Sequence, residues 1–286
     1  MGNGDNLAWH IGSVLVTRVQ EVVVPVDATA LIPDFTPDHL TPHRGWLVPS
    51  FFTDDDRLRL SVHTFVIESG PTTIVVDTCV GEGDDRPLPN DSSFPARLAD
   101  AIDGGLGGVD LVLCTHLHFD HVGWNTRIVD GRRVPTFPNA RYLFGRTELD
   151  HLDLDDHMAV REPSVQPLLD AGLVDAVDSD HQLTPEVRLV PTPGHTPGHV
   201  SVLIESQHQQ ALITGDMTHT PLQFAHPELP AGAFDWDSDM STATRKATIA
   251  THVNTDTIVL GTHFAPPTAG RIRRNQGGTW FEVIDQ

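Results

Sequence analysis

Apolar and polar positions along the chain fall into two kinds of short segment. From Ile11 to Val26 they alternate (Val14, Val16, Val19), closing in Val22-Val23-Val24, and Leu58 to Ile67 alternates again. A period of two marks a β-strand with one face on a core. Gly70-Pro71 signals a turn into Thr72–Val76. Short continuous apolar runs follow at Val109–Cys114, Ala140–Phe144, Val187–Val190, Val200–Ile204, Ala211–Thr214 and Ile258–Leu260. They are too short and too β-branched for helices, which predicts buried strands. Helical spacing occurs at Phe94, Leu98 and Ile102, from a cap at Thr147, over Val165–Leu173 before its end at Gly172, and over Thr242–His252. Strands interleaved with helices predict a layered α/β (α+β) fold. No linker is long enough to require a second domain, so residues 1–286 read as one domain.

Residues 28–52 break the pattern. Pro33, Pro37, Pro42 and Pro49 interrupt any regular element, while Leu31, Phe35, Trp46, Phe51 and Phe52 scatter large apolar groups along it. A loop of this length is uncommon unless it is a lid or binding loop. The expectation is a loop walling a substrate pocket; the alternative is a meander packed outside the sheet.

The chemistry sits where the strands run out. Directly after Val109–Cys114 comes Thr115-His116-Leu117-His118-Phe119-Asp120-His121. Imidazoles and a carboxylate packed this closely are costly in a core unless a cation binds them. Neutral imidazole nitrogen and carboxylate oxygen are ligands that Zn²⁺ takes at about 2.0–2.2 Å. His116 and His118 can flank one metal from an extended turn, and Asp120 and His121 can face a second. The alternative is a His-rich surface loop. The other strand ends supply further ligands: His199 in Pro193-Gly194-His195-Thr196-Pro197-Gly198-His199, Asp216 after Thr214-Gly215, and His263 after Gly261-Thr262.

This ordered set resembles the metallo-β-lactamase superfamily, whose motif is HxHxDH followed by His, Asp and His. The resemblance spans Asp77 to His263 and implies a four-layer αβ/βα sandwich with a two-metal site at the edge of its paired sheets. It implies that His116, His118 and His199 hold one metal, that Asp120, His121 and His263 hold the other, and that Asp216 bridges them. Asp77 is expected behind the ligands, orienting them. His195 is expected to be a structural hydrogen bonder rather than a ligand.

Two metals about 3.5–4 Å apart can share a water, lower its pKa and polarise a carbonyl or phosphoryl oxygen. The nucleophile would then be a bridging hydroxide, with Asp120 orienting it or shuttling its proton. No Gly-x-Ser-x-Gly or Walker-type loop competes. An Asp at the bridging position resembles lactonases, phosphoesterases and thioesterases of the superfamily more than its true β-lactamases. The chain resembles the N-acyl homoserine lactone lactonases in its HxHxDH, PGHTPGH and GD signatures. It departs from them at His219, where they usually place a tyrosine. That feature, with Gln223-Phe224 and Phe234-Asp235-Trp236-Asp237, is similar to the methyl parathion hydrolase group. His219 could polarise the substrate or protonate a leaving group; otherwise it is a hydrogen bonder to Asp216 or a pocket wall. Phe119, Trp124, Phe224 and Phe264 adjoin ligands and are the candidate apolar pocket walls, with core packing the alternative for each.

The expected function is a dinuclear metal hydrolase of small esters or lactones. A phosphotriesterase is the competing reading, and a metal-binding protein without dedicated catalysis is the alternative of another class. Zinc is the expected metal, with Mn²⁺, Fe²⁺ or Co²⁺ also suited to such ligands.

Composition narrows the partners. Against 39 Asp plus Glu stand 18 Lys plus Arg, a net charge of −21, with Lys246 the single lysine. Nucleic acid and anionic membranes need clustered cations, so neither is an expected partner. A small molecule is. The resemblance allows a homodimer, although no segment marks an interface. The two cysteines, Cys79 and Cys114, make no disulfide framework and suit a reducing cytoplasm. No signal peptide or membrane-spanning run is visible. His151 and His157, in an acidic stretch, read as surface groups.

Overall fold

The computed structural model of the chain describes residues 6–83, 87–152 and 160–284. The acidic run Asp153 to Met158, with His157, lies outside them. One sheet begins with β1 (Ala8–Ile11), β2 (Val14–Val26), β3 (Leu58–Ser69), β4 (Thr72–Val76) and β5 (Leu111–Leu113). The chain then makes a separate hairpin, β6 (Thr126–Val129) with β7 (Arg132–Pro135), and returns to the sheet as β8 (Arg141–Gly145) and β9 (Val174–Val177). The second sheet runs in spatial order β10 (Gln182–Thr184), β11 (Val187–Pro191), β12 (Val200–Ser206), β13 (Gln209–Ile213), β14 (Ile258–Leu260), β15 (Ala269–Asn275) and β16 (Gly278–Val283).

The alternating strands are antiparallel meanders, whereas the short apolar runs pair in parallel at β4–β5–β8–β9 and β13–β14. This register positions the site. Val76 lies opposite Leu113, and Ile213 opposite Leu260. All four strands therefore end level, and the residues just beyond them, from Asp77 to His263, leave the sheets on one edge.

Ile67, Val76 and Leu113 from the first sheet and Val202, Ile213 and Leu260 from the second fill the space between the sheets. Phe94 and Leu98 of the helix Phe94–Asp100 cover the outer face of the first sheet against Val112 and Tyr142. Ile249 of the helix Ser238–His252 covers the second against Val259 and Ile272. The order helix, sheet, sheet, helix is a layered α/β fold, as the patterning predicts, and the four-layer sandwich that the resemblance implies. Among the described residues no helix is long and apolar enough to cross a membrane.

Three expectations need correction. The predicted strand from Ile11 is two strands, turned at Gly12, whose φ is +59°. A Cβ there would meet the Ser206 carbonyl at 2.5 Å, so only glycine fits. The helix near Thr147 is Arg146–His151 and its cap position is Gly145, so Thr147 does not cap it. Residues 28–52 form short helical turns, Ala28–Leu31, Pro37–Leu40 and Arg44–Leu47, rather than an open loop. Asp27 caps the first by accepting the Thr29 N–H at 2.9 Å, and Pro37 sits in the first turn of the second, where its missing N–H costs nothing. The segment packs outward on the second sheet. Phe35 stacks on Phe52 at 5.7 Å, and Phe51 meets Phe264 and Phe281 edge-on at 6.0 Å.

Candidate metal centre

Asp77 anchors the first ligand loop. One carboxylate oxygen accepts the Thr115 N–H at 2.7 Å; the other accepts the Thr115 hydroxyl and the His121 Nδ1–H, each at 2.9 Å. The Thr115 hydroxyl, committed as a donor, in turn accepts from His116 Nδ1 at 3.1 Å. One buried carboxylate thus fixes the tautomer of two imidazoles and turns both Nε2 lone pairs inward. His263 obeys the same rule, with its Nδ1–H donating to the Ser61 carbonyl at 2.8 Å.

At the centre, His118 Nδ1 lies 3.0 Å from His116 Nε2 and 3.0 Å from His195 Nε2. His195 Nδ1 donates to Asp235 Oδ1 at 3.0 Å, so its Nε2 also presents a lone pair. At most one proton can be shared in that triangle, which leaves lone pairs facing one another in a buried site. A cation resolves the conflict; further protons do not, because burial holds His118 down to about 4 and lowers His116 and His195 well below the usual range. Asp216 completes this group, with Oδ2 3.4 Å from His195 and 3.8 Å from His116.

A second group adjoins it. His121 Nε2 stands 3.7 Å from Asp120 and 3.3 Å from Asp216; His263 Nε2 stands 3.6 Å from Asp120 and 3.1 Å from Asp216. His121 Nε2 and Asp216 Oδ1 are buried without a hydrogen-bond partner. Buried orphans of this kind need an explanation, and a ligand ion is one. Burial lowers the basicity of His121, but Asp216, Asp77 and Asp120 more than reverse that and raise it well above the ordinary imidazole value. Burial likewise pushes the Asp216 carboxyl up, yet His121, His263, His219 and His116 outweigh it and keep the group ionised. The donor set, oxygen and nitrogen at a strand edge, suits divalent ions of the zinc kind. The ligand atoms of His116, His118, His195 and Asp216 lie within 4.8 Å of one another, as do those of Asp120, His121 and His263.

The expectation about the Pro-Gly turn is corrected here. His195, not His199, enters the cluster. The two nitrogens of His199 are committed: Nδ1–H donates to the Thr192 carbonyl at 3.0 Å, and Nε2 accepts the Asp216 N–H at 2.8 Å. His199 therefore props the Asp216 turn from below. Gly215, at φ +54°, allows that approach, since a Cβ would lie 2.5 Å from His199 Nε2.

The remaining site residues divide. His219 sits with Nε2 3.2 Å from Asp216 Oδ2, its ring parallel to His263 at 5.5 Å, and its buried Nδ1 without a partner. Phe119 is half-buried beside the ligands. Trp124, Phe224 and Phe264 are buried core, contrary to the pocket-wall expectation. Trp124 packs on Phe94 and donates its indole N–H to Glu21; Phe224 and Phe264 face the 28–52 segment and Phe281. The open cleft of about 320 Å³ beside His118 and His195 is walled instead by Leu117, Leu152, Phe234 and Trp236. None of residues 28–52 lines it. His151, expected on the surface, is half-buried at its rim. A larger depression of about 1010 Å³ lies around the β12–β13 hairpin, at the opposite end of the strands from these ligands.

Two carboxylates escaped sequence reasoning. Asp235 holds His195 and also accepts the Ala231 N–H at 2.9 Å. Glu148 accepts the Gly198 N–H at 2.7 Å and the Leu117 N–H at 3.2 Å, stapling the two ligand loops together. Glu148 carries no local signal beyond being an acid next to an apolar residue, and Asp235, although it lies in the Phe234-Asp235-Trp236-Asp237 stretch, carries none that pairs it with His195. If His195 holds a metal, Asp235→Ala is expected to weaken metal binding by about 10–100-fold, the usual cost of removing a ligand's hydrogen-bond partner. Competition with a chromophoric chelator measures this. Unchanged affinity would make the Asp235 contact incidental.

Paired sheets with a His/Asp cluster at one edge define a metal-centre class. Residues 57–263 match the family model described as metallo-beta-lactamase superfamily, and the chain belongs to that superfamily. It is 28% identical over 217 residues to an N-acyl homoserine lactonase of Bacillus cereus, covering 69% of this chain and 80% of that one. It is 31% identical over 136 residues to the N-acyl homoserine lactonase AiiA of Bacillus thuringiensis subsp. kurstaki, covering 47% of this chain. That match spans about half (48%) of the relative's length. Among solved structures, the hydrolase AbOPH of the beta lactamase superfamily superposes with a TM-score of 0.82 at 20% identity, covering 100% of this chain and 99% of its own. AidC, a dizinc quorum-quenching lactonase, gives 0.79 at 18%, covering 98% of each. At these identities the likeness is one of fold.

Proposed function

We propose that the protein is a dinuclear metal-dependent hydrolase that cleaves small uncharged esters or lactones, of the acyl homoserine lactone kind. The observation that carries this is the convergence of imidazole lone pairs and two carboxylates in one cluster, whose His118 and His195 open onto a largely apolar cleft. His116, His118 and His195 would hold one ion, Asp120, His121 and His263 the other, and Asp216 both. Zinc suits this set best. When bound, the ions supply acidified water and polarise the oxygen under attack. Asp120, with its side chain 12% exposed at the solvent edge of the cluster, is placed to accept a proton from the attacking water and return it to the leaving oxygen. His219 Nε2 faces Asp216, and its partnerless Nδ1 is the group that would hydrogen-bond the substrate's oxygen.

A phosphotriester is the second reading, favoured by His219 standing where lactonases of this kind carry a tyrosine. We place the protein in the cytoplasm, since Cys79 and Cys114 are free, buried thiols. Its partners would be small molecules, with nucleic acid and membrane surfaces disfavoured by the charge of −21. The test is a rate panel on one zinc-loaded preparation: an acyl homoserine lactone, an aryl ester, a phosphotriester and a cephalosporin. Rates led by the lactone or ester support the main reading. Phosphotriester dominance supports the second, and negligible rates with metal bound support a metal-binding protein without dedicated catalysis. His219→Ala is expected to lower turnover by about 10²–10⁴-fold, the range of general acid–base contributions, with unchanged metal content. Unchanged turnover would reduce His219 to a structural contact of Asp216.

A further inference from the structure

Phe234 and Trp236 flank Asp235, whose side chain is completely buried, yet they are 47% and 56% exposed. Large apolar side chains exposed together on a fixed wall mark a binding surface. This wall is fixed. The Trp236 N–H donates to the His195 carbonyl and the Asp237 N–H to the Gly194 carbonyl, each at 2.9 Å. The indole lies edge-on to His151 at 6.2 Å, across the cleft rim. Because Asp235 orients His195 from between the two aromatics, the wall is in register with the metal ligands themselves.

The cleft's chemistry is one-sided. Among the described residues no lysine or arginine lines it, and the two acids that do are occupied, Glu148 by backbone N–H groups and Asp235 by His195 and the Ala231 N–H. Apart from its histidines and whatever ion His118 and His195 hold, this wall offers nothing that could pair with a carboxylate or phosphate on the substrate. A volume near 320 Å³ is at the small end for ligand pockets, enough for a ring or a medium chain.

We propose that Phe234 and Trp236, with Leu152 and His151, form a subsite that binds an uncharged aryl or medium alkyl substituent of the substrate and excludes anionic ones. This rests on the hydrolase reading for its consequence in turnover, but not for binding. On the zinc-loaded enzyme, 4-nitrophenyl esters from acetate to octanoate are expected to show KM falling with chain length, and the hemisuccinate to be poor. Trp236→Ala should raise KM for the long esters on the order of 10–100-fold, the range for a lost apolar contact, while kcat is retained and Trp236→Phe largely restores KM.

Calorimetric binding of a neutral unreactive amide, N-benzylhexanamide, gives the second readout, which needs no turnover. Ester hydrolysis with unaltered chain-length dependence in Trp236→Ala overturns the subsite and leaves the hydrolase reading standing. No ester hydrolysis, but amide binding weakened by Trp236→Ala, supports the subsite and overturns the reading. Neither hydrolysis nor amide binding overturns both.

Discussion

His195→Ala is expected to bring zinc content from about two ions per chain to about one, while His199→Ala leaves it unchanged. Both residues sit in one Pro-Gly turn, so the contrast isolates geometry from sequence. His195 presents a lone pair 3.0 Å from His118 and is oriented by Asp235. Its removal deletes a converging donor, and the loss of hydrolysis should exceed the roughly 10–100-fold that a missing hydrogen-bond partner of a ligand costs. His199 has no lone pair to spare. Its removal strands the Asp216 N–H in a buried place, a cost of about 1–3 kcal/mol, before any cavity is counted. The expected signature is a lower Tm, by about 2–4 °C per kcal/mol in a chain of this general size, with the metals retained. Elemental analysis and melting curves on the two variants decide. Two ions in His195→Ala with one lost from His199→Ala would restore the assignment expected from the sequence.

Why that assignment went the wrong way is physical. The strand ends were legible, because short β-branched runs followed by His or Asp can hardly be anything but buried strands emptying at an edge. The level ends of β4, β5, β13 and β14 then follow from parallel pairing. Which histidine of Gly194-His195-Thr196-Pro197-Gly198-His199 points where does not follow. Val200 opens β12 opposite Pro191, so His199 is already committed beneath the strand end, and His195 is the residue left free at the loop's crest. A chain position holds no record of that turn. The same holds for Asp235, brought to His195 from 40 residues away. The aromatics beside ligands misled for a different reason. Phe224 and Phe264 are buried because residues 28–52 fold over them, and that segment's prolines conceal short helical turns with Pro37 at a permissive position. Phe234 and Trp236 were conspicuous in sequence, but only burial of the acid between them identifies which faces are left open.

Asp216→Ala should have the other large effect. Its carboxylate stands within 3.8 Å of nitrogens from His116, His121, His195, His219 and His263, so its loss leaves five imidazoles without their shared anion. At least one zinc ion is expected to be lost, with hydrolysis down by at least on the order of 100-fold. The metal-free protein gives a separate readout. Burial opposes protonation of His121 and His263, but the acids around them, Asp216 foremost, raise both above the ordinary value. An imidazole with a folded pKa above its unfolded value of about 6.5 stabilises the fold below that pH, and the contribution fades as pH rises through the folded pKa. Chelator-treated wild type should therefore out-melt Asp216→Ala by its widest margin near about pH 6, and the margin should shrink toward alkaline pH. A margin that grows with pH would mean that Asp216 is not the anion those imidazoles share. Two retained ions with full turnover would remove it from between the metals.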